Sequence, residues 1–208
     1  KKYLKKYENK KNNFKKQIKN LQLSSNWFSP HIPNWLLCFD DLNFESKAPL
    51  KYLEIGSWEG LSSFFILNNF PNSRITCVDT WEGGIEHQNK FNLNQVEKNF
   101  DFNISKFVDR ITKFKGSSFS FFEKNHESNF DLIYVDGSHY CDDVIVDAFK
   151  SFNLLKSGGV LIFDDYMWFY YDDDSRNKPI GAINAFLKLK KGEYKLLQVT
   201  GQLMIRKN

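Results

Sequence analysis

The sequence predicts an α/β fold, a doubly wound and mainly parallel seven-stranded sheet with a C-terminal antiparallel hairpin. Three observations carry that expectation. Apolar runs of strand length alternate with amphipathic stretches from residue 50 to about 190, the pattern that βαβ units impose. Asp131-Leu132-Ile133-Tyr134-Val135 and Gly159-Val160-Leu161-Ile162-Phe163 are nearly unbroken apolar runs, as strands covered on both faces require. Residues capable of chemistry gather where strands end: Glu54 and Gly56, Asp79, Gly116 to Ser118, Asp136, and Asp164-Asp165. Open parallel sheets hold ligands there.

Taken in order, residues 1–22 read as a Lys-rich helical leader or linker, and 23–208 as one domain. Nine Lys against one Glu in the first 20 residues supply +8, leaving about −4 for the remainder of a chain whose net charge is +4. A basic run is one signature of nucleic-acid binding. Here Leu4, Tyr7, Phe14, Ile18 and Leu21 fall near helical spacing, which favours a solvated helix with its lysines outward and no nucleic-acid partner. Trp27 to Trp35, broken by Pro30 and Pro33, reads as irregular or weakly helical.

Next come a strand over Tyr52–Ile55, a helix over Gly60–Asn69, a strand over Arg74–Val78, and a helix within His87–Phe102. A strand over Ile111–Lys115 and a short helix over Ser118–Lys124 follow. Between the two clearest strands, Val144, Ile145, Ala148, Phe149, Phe152 and Leu155 mark one face of a helix expected to stop at Gly158-Gly159. Asp142, Asp143 and Asp147 on that helix are expected to be solvated. Pro179 suits the first turn of a helix reaching Leu189. Tyr194–Thr200 and Leu203–Arg206 form the hairpin around Gly201-Gln202.

A chain of 208 residues holds one such domain and little more. No apolar run approaches the ~18 residues of a membrane span, so no membrane insertion is expected and a cytoplasmic location is. Cys38, Cys77 and Cys141 are odd in number and lack metal or redox spacing, which argues against structural disulfides.

Tyr52-Leu53-Glu54-Ile55-Gly56-Ser57-Trp58-Glu59-Gly60 runs a strand into an E-x-G-x-x-x-G turn and a helix. Asp79 ends the next strand 23 residues beyond Gly56, placed to accept both hydroxyls of a ribose through charge-assisted bonds. The pair points to a nucleoside cofactor. A dinucleotide would need a glycine two residues after Gly56, where Trp58 stands. S-adenosylmethionine carries no phosphate and is served by the looser turn. Ser57 and Thr80 adjoin the two key positions, Gly60 and Ser62 fall near the methionine moiety, and Trp81 is placed to cover the nucleoside. Gly116, Ser117, Ser118 and Asp136 complete the expected cofactor contacts.

The second constellation is Asp136-Gly137-Ser138-His139 with Asp164-Asp165-Tyr166. If these strand ends are neighbours, Asp136, Asp164 and Asp165 converge. Two carboxylates ~4 Å apart repel by roughly 4 kcal/mol at an effective dielectric of 20. Three need a cation or shared protons, and an all-oxygen set suits Mg²⁺ or Mn²⁺. A divalent ion lowers the pKa of a hydroxyl it touches, and His139 is placed to take the proton. Beyond it, Tyr166, Trp168, Phe169, Tyr170 and Tyr171 precede Asp172-Asp173-Asp174. Aromatic faces stack on sugars and acids accept their hydroxyls. Tyr166, Trp168 and Tyr170 are therefore expected acceptor contacts, with His31, among Trp27, Phe28 and Trp35, on an opposite wall.

The segments Y-L-E-I-G-S-W-E-G-L-S, V-D-T-W-E-G-G, D-L-I-Y-V-D-G-S-H-Y and G-G-V-L-I-F-D-D-Y resemble the metal-dependent, macrocin-type sugar O-methyltransferases, within the Rossmann-like class I methyltransferase fold. The likeness spans about residues 50 to 190. It implies Asp136, Asp164 and Asp165 as Mg²⁺ ligands, His139 as general base, and a sugar or glycan acceptor. A start on Lys1 after which a basic leader follows is the arrangement expected of one domain in a larger glycan-modifying protein. Catechol or another small phenol is the alternative acceptor, and a non-catalytic glycan-binding module the alternative from another class. Amino-methylation of nucleic acid is disfavoured, because Gly-Ser-His follows Asp136 where a base-stacking turn would be needed.

Overall fold

The computed structural model describes residues 2–125, 127–168 and 178–208. The chain falls into two compact units. The first comprises Lys1–Pro49, Trp58–Ser73 and Trp81–Arg110; the second comprises Leu50–Ser57, Arg74–Thr80 and Ile111–Asn208.

The second unit carries the sheet. Its strands are β1 (Leu50–Ile55), β2 (Ser73–Asp79), β3 (Ile111–Lys115), β4 (Phe130–Val135), β5 (Leu155–Phe163), β6 (Tyr194–Val199) and β7 (Leu203–Lys207), in the order β3-β2-β1-β4-β5-β7-β6. β1 with β4, β2 with β3, and β4 with β5 are parallel, while β7 runs antiparallel to β5 and to β6. The α/β class, the seven strands and the terminal antiparallel pair are those expected from the sequence. The order reverses between β1 and β4, which places a ligand-binding crevice at their carboxyl ends.

Helices α5 (Ser118–Lys124), α6 (Cys141–Leu154) and α7 (Pro179–Leu189) belong to this unit. Phe149 and Phe152 of α6 and Phe163 of β5 pack around Phe186 of α7, with ring centroids 5.2 to 5.6 Å from it. The cluster extends through fully buried Leu53, Ile133, Leu161 and Ile205. Truncating one of these rings would cost about 3–5 kcal/mol.

The first unit is built from α1 (Lys2–Gln17), α2 (Ile32–Asp41), α3 (Leu61–Asn69) and α4 (Leu93–Ile104). Phe14, Phe28, Trp35 and Phe65 form its aromatic core, with Phe14 and Phe65 centroids 5.4 Å apart and Phe28 and Trp35 5.0 Å apart. Tyr7 and Ile18 also turn inward from the basic segment, and the Tyr7 hydroxyl donates to Asp40 at 2.5 Å.

Three local expectations change. Of the two forms expected for Trp27–Trp35 the helical one is present and extends further: a 3-10 turn over Ser29–His31 leads into α2, which continues to Asp41, because Pro33 fits a first turn and Ile32, Trp35, Leu36 and Phe39 share a buried face. The helix expected within His87–Phe102 starts at Leu93, after Asn89 adopts a φ of 64°, and runs past Phe102 to Ile104. α6 ends at Leu154 rather than at the glycines. Leu155 is already extended, and Gly158 sits inside β5 at φ 77°, beside a register shift between Phe130 and Leu132.

Candidate active site

In the second unit, three main-chain bonds fix four strand ends side by side. The Gly56 amide donates to Val78, the Asp136 amide to Ile55, and the Asp164 amide to Val135, at 2.8, 2.8 and 2.9 Å. Gly56 holds φ at 85°, and a Cβ there would lie 1.9 Å from the Asp136 carbonyl oxygen. The turn therefore requires glycine for close approach of two chains.

Around that turn the Ser57 amide donates to Asp79 Oδ2 at 2.7 Å. The Gly116 amide donates to the Asp79 carbonyl at 2.9 Å, so the loop after β3 joins the same corner. Ser57 Oγ is buried and has no hydrogen-bond partner among the described residues. An orphaned hydroxyl beside a strand-end acid fits a polar ligand such as a nucleoside. Ser117 Oγ accepts from the Ser120 amide and caps α5. Glu54 is fully buried, and the Tyr52 hydroxyl donates to its carboxylate at 2.8 Å. Thr80 follows Asp79 at the end of the unit's β2 segment.

Gly60, Ser62 and Trp81 belong to the first unit. Gly60 holds φ at 77° at the start of α3, where a Cβ would meet the Phe100 ring at 3.0 Å. Ser62 is buried within α3. Trp81 is 3% exposed; its Nε1 donates to the Trp58 carbonyl, and its ring packs 5.0 Å from Phe100. That indole is committed to the unit's interior, not an open face for a nucleoside.

The acidic cluster is the chemical centre of the second unit. Asp136, Asp164 and Asp165 each offer a carboxylate oxygen within 4.8 Å of the others. Burial, then repulsion from Asp164 and Asp165, pushes the Asp136 carboxyl well above the usual carboxylate range, with Tyr134 opposing and Glu54 adding to the rise. Such a trio of oxygen donors fits a hard divalent cation. Asp165 sits at φ 53°, a left-handed conformation that Asp tolerates better than most residues. His139 Nε2 lies 2.8 Å from Asp165 Oδ2, and the Trp168 ring stacks 4.3 Å from the imidazole at a 34° tilt. Tyr166 donates its hydroxyl to Asn184 on α7 at 3.0 Å. Tyr170, with Phe169, Tyr171 and Asp172 to Asp174, lies outside the described residues.

Sequence reading missed two side chains here. The buried Tyr134 hydroxyl donates to Asp164, and Gln202 Nε2 donates to that hydroxyl at 3.3 Å. Only the order β4-β5-β7 brings Gln202 across, and no local signal marks it. Asp147 corrects an expectation outright: it is 2% exposed rather than solvated. Burial first, opposed by a Ser118 hydrogen bond and helped by Asp143, pushes its carboxyl up to about 7.

The proposed opposite wall changes as well. Phe28 and Trp35 are 6% and 0% exposed core residues of the first unit, so they line no open surface. His31 is half-buried in the 3-10 turn before α2. Trp27 instead joins Trp58, His87 and Phe91 in a four-ring cluster, with Trp58 and His87 centroids 4.6 Å apart.

The sheet order, the glycine turn and the strand-end acids define a class I methyltransferase fold. The methyltransferase-domain family matches residues 53–166, and the chain belongs to that family. No curated protein sequence matches it. Among solved structures, an O-methyltransferase from Bacillus cereus in complex with SAH is 16% identical at a TM-score of 0.62, covering 100% of this chain and 91% of that one. TomG from Streptomyces achromogenes, an O-methyltransferase involved in tomaymycin synthesis, solved with SAM, is 14% identical at 0.60, covering 96% and 88%. MycE from the mycinamycin biosynthetic pathway, solved with Mg, SAH and mycinamycin VI, is 17% identical at 0.61, covering 88% of this chain and 51% of that one. No helix among the described residues is long and apolar enough to cross a membrane.

Proposed function

We propose that the protein transfers a methyl group from S-adenosylmethionine to a hydroxyl oxygen of a sugar or glycan, assisted by Mg²⁺ or Mn²⁺. One observation carries the reading: three convergent carboxylates within 4.8 Å, with His139 Nε2 2.8 Å from one of them. MycE, a fold neighbour, was solved with Mg, SAH and mycinamycin VI, which supports both the metal and the donor.

Asp79 and Ser57 would hold the ribose edge of the donor, with the Gly116–Ser118 loop beside them. Asp136, Asp164 and Asp165 would hold the cation, which, when bound, lowers the pKa of the acceptor hydroxyl. With His139 neutral, its Nε2–H donates to Asp165, and that bond leaves Nδ1 as the basic nitrogen. Nδ1 takes the hydroxyl proton, and Asp165 stabilises the imidazolium, the orienting role a carboxylate plays beside a catalytic histidine. Nδ1 is buried in this structure, so acceptor entry must displace what covers it. The acceptor oxygen forms its bond to the methyl carbon as the carbon–sulfur bond breaks, and S-adenosylhomocysteine leaves. Alignment of oxygen, carbon and sulfur supplies much of the acceleration. Trp168 against His139 offers an aromatic face for a pyranose.

Labelled S-adenosylmethionine, incubated with simple glycosides or catechol, tests this. Labelled glycoside supports it; labelled catechol alone overturns the sugar while keeping the chemistry. A protein that binds glycans but transfers no label would be the binding module instead.

A further inference from the structure

Asp164 differs from the other two acids in being held at both carboxylate oxygens. Its Oδ1 accepts from the Asp165 amide at 2.9 Å, and its Oδ2 accepts from the Tyr134 hydroxyl. The last torsion of an Asp side chain is otherwise soft, so donors on separate oxygens fix the carboxylate plane. The Tyr134 hydroxyl also interacts with Asp136, so one phenol faces two of the three acids. Gln202 Nε2 donates to that hydroxyl at 3.3 Å. A phenol that accepts there keeps its single proton for a carboxylate.

The sheet explains why these residues meet. Tyr134 pairs with Ile162 across β4 and β5, and Asp164, two residues further along, shares the face of Ile162. The β5–β7 register ends at Phe163 with Leu203, so Gln202 stands opposite Asp164 one step beyond. The turn holds it there: the Thr200 amide donates to the Gln202 carbonyl at 2.7 Å, and the Gln202 amide to Thr200 Oγ1 at 3.2 Å. Both Tyr134 and Gln202 are buried. Buried polar atoms need partners anywhere in a fold, and interior packing alone is the competing explanation.

Mg²⁺ demands near-ideal octahedral geometry, whereas Ca²⁺ accepts more oxygens in flexible arrangements, so ligand rigidity separates the two. We propose that Tyr134 and Gln202 are positioning residues of the metal centre, holding the Asp164 carboxylate in one orientation and so favouring Mg²⁺ over Ca²⁺. The inference rests on the cation site proposed above. Neither residue touches the reacting atoms; both act through Asp164, as partners behind a metal ligand do.

The test follows Mn²⁺ binding to the full chain by the EPR signal of the free ion, with Mg²⁺ and Ca²⁺ as competitors. Affinity for S-adenosylhomocysteine is the parallel readout. Tyr134→Phe is expected to weaken Mg²⁺ by about 10- to 100-fold and Ca²⁺ by less than about 3-fold. Gln202→Leu, one bond further back, should weaken Mg²⁺ by about 3- to 10-fold, the worth of one ordinary hydrogen bond, with Ca²⁺ nearly unchanged. S-adenosylhomocysteine should bind both variants as it binds the wild type. Mg²⁺ and Ca²⁺ weakened alike, neither weakened, or S-adenosylhomocysteine affinity lost in step with Mg²⁺ overturns the proposal in favour of interior packing. Should Tyr134→Phe fail to fold, the Mg²⁺-to-Ca²⁺ ratio in Gln202→Leu decides on the same terms. If the wild type binds none of these ions, the cation site itself falls, and this inference with it.

Discussion

Each unit buries carboxylates, and the two treat them oppositely. In the first unit Glu59 is 1% exposed, and its carboxylate accepts from the Ser24 amide at 2.5 Å, the Ser24 hydroxyl at 3.0 Å and the Asn99 amide at 2.7 Å. Three neutral donors neutralise no charge, but they replace lost water, and the acid ties the Ser24 segment to α4. In the second unit Asp136 faces Asp164 and Asp165, and neither Asp136 nor Asp165 forms an ion pair with Lys or Arg among the described residues. The fold places donors where an acid is structural. It concentrates like charge where a cation and a reaction are expected, a pattern typical of functional sites.

The comparison breaks most visibly at turnover. Asp165→Ala should lower methyl transfer by at least about 10³-fold, since it removes both a cation ligand and the partner of His139. Affinity for S-adenosylhomocysteine should stay within a few-fold, and an equal loss of that affinity would remove the division of roles. Glu59→Gln should leave turnover per folded molecule unchanged.

Asp147 supplies the next effect. Its folded pKa of about 7 exceeds the unfolded value of roughly 3.9. Between those values the native state binds more protons than the unfolded chain, so this acid makes stability fall as pH rises from about 4 through 7. The full difference is on the order of 4 kcal/mol. Asp147→Asn should flatten that part of the profile, measured by urea unfolding from pH 4 to 8; an unchanged slope would show that Asp147 is not buried as described.

A cation that binds only the folded state should stabilise the wild type by about 2.7 kcal/mol at one hundred times its dissociation constant. Thermal unfolding with and without Mg²⁺ reads this directly. Asp136→Asn should stabilise the metal-free protein by relieving repulsion and should abolish most of the Mg²⁺ response. The smallest effect is Glu59→Gln, which turns a donor toward the Ser24 amide and should destabilise by about 1–3 kcal/mol, visible in the midpoint of denaturation.

Much of the second unit was legible because strand period and strand-end acids are local signals. Leu132 to Val135 and Val160 to Phe163 announce buried strands, and Asp136, Asp164 and Asp165 follow directly upon them. Gly56 was legible because only glycine admits that turn. Asp147 was misread although its position three residues after Val144 and one before Ala148 puts it on the buried face; polarity outweighed spacing. The Tyr134–Gln202 contact depends on β7 entering between β5 and β6, a tertiary fact. α2 was hidden by Pro30 and Pro33, which suggest a break and in fact sit in turns that start helices.

The most direct measurement is transfer of labelled methyl from S-adenosylmethionine to a glycoside panel, in Mg²⁺ and in EDTA, by the wild type and Asp165→Ala. Labelled glycoside is expected in Mg²⁺ with the wild type alone, lost in EDTA and restored by added Mg²⁺. Transfer that persists undiminished in EDTA, or in Asp165→Ala, would contradict the role given to the three carboxylates.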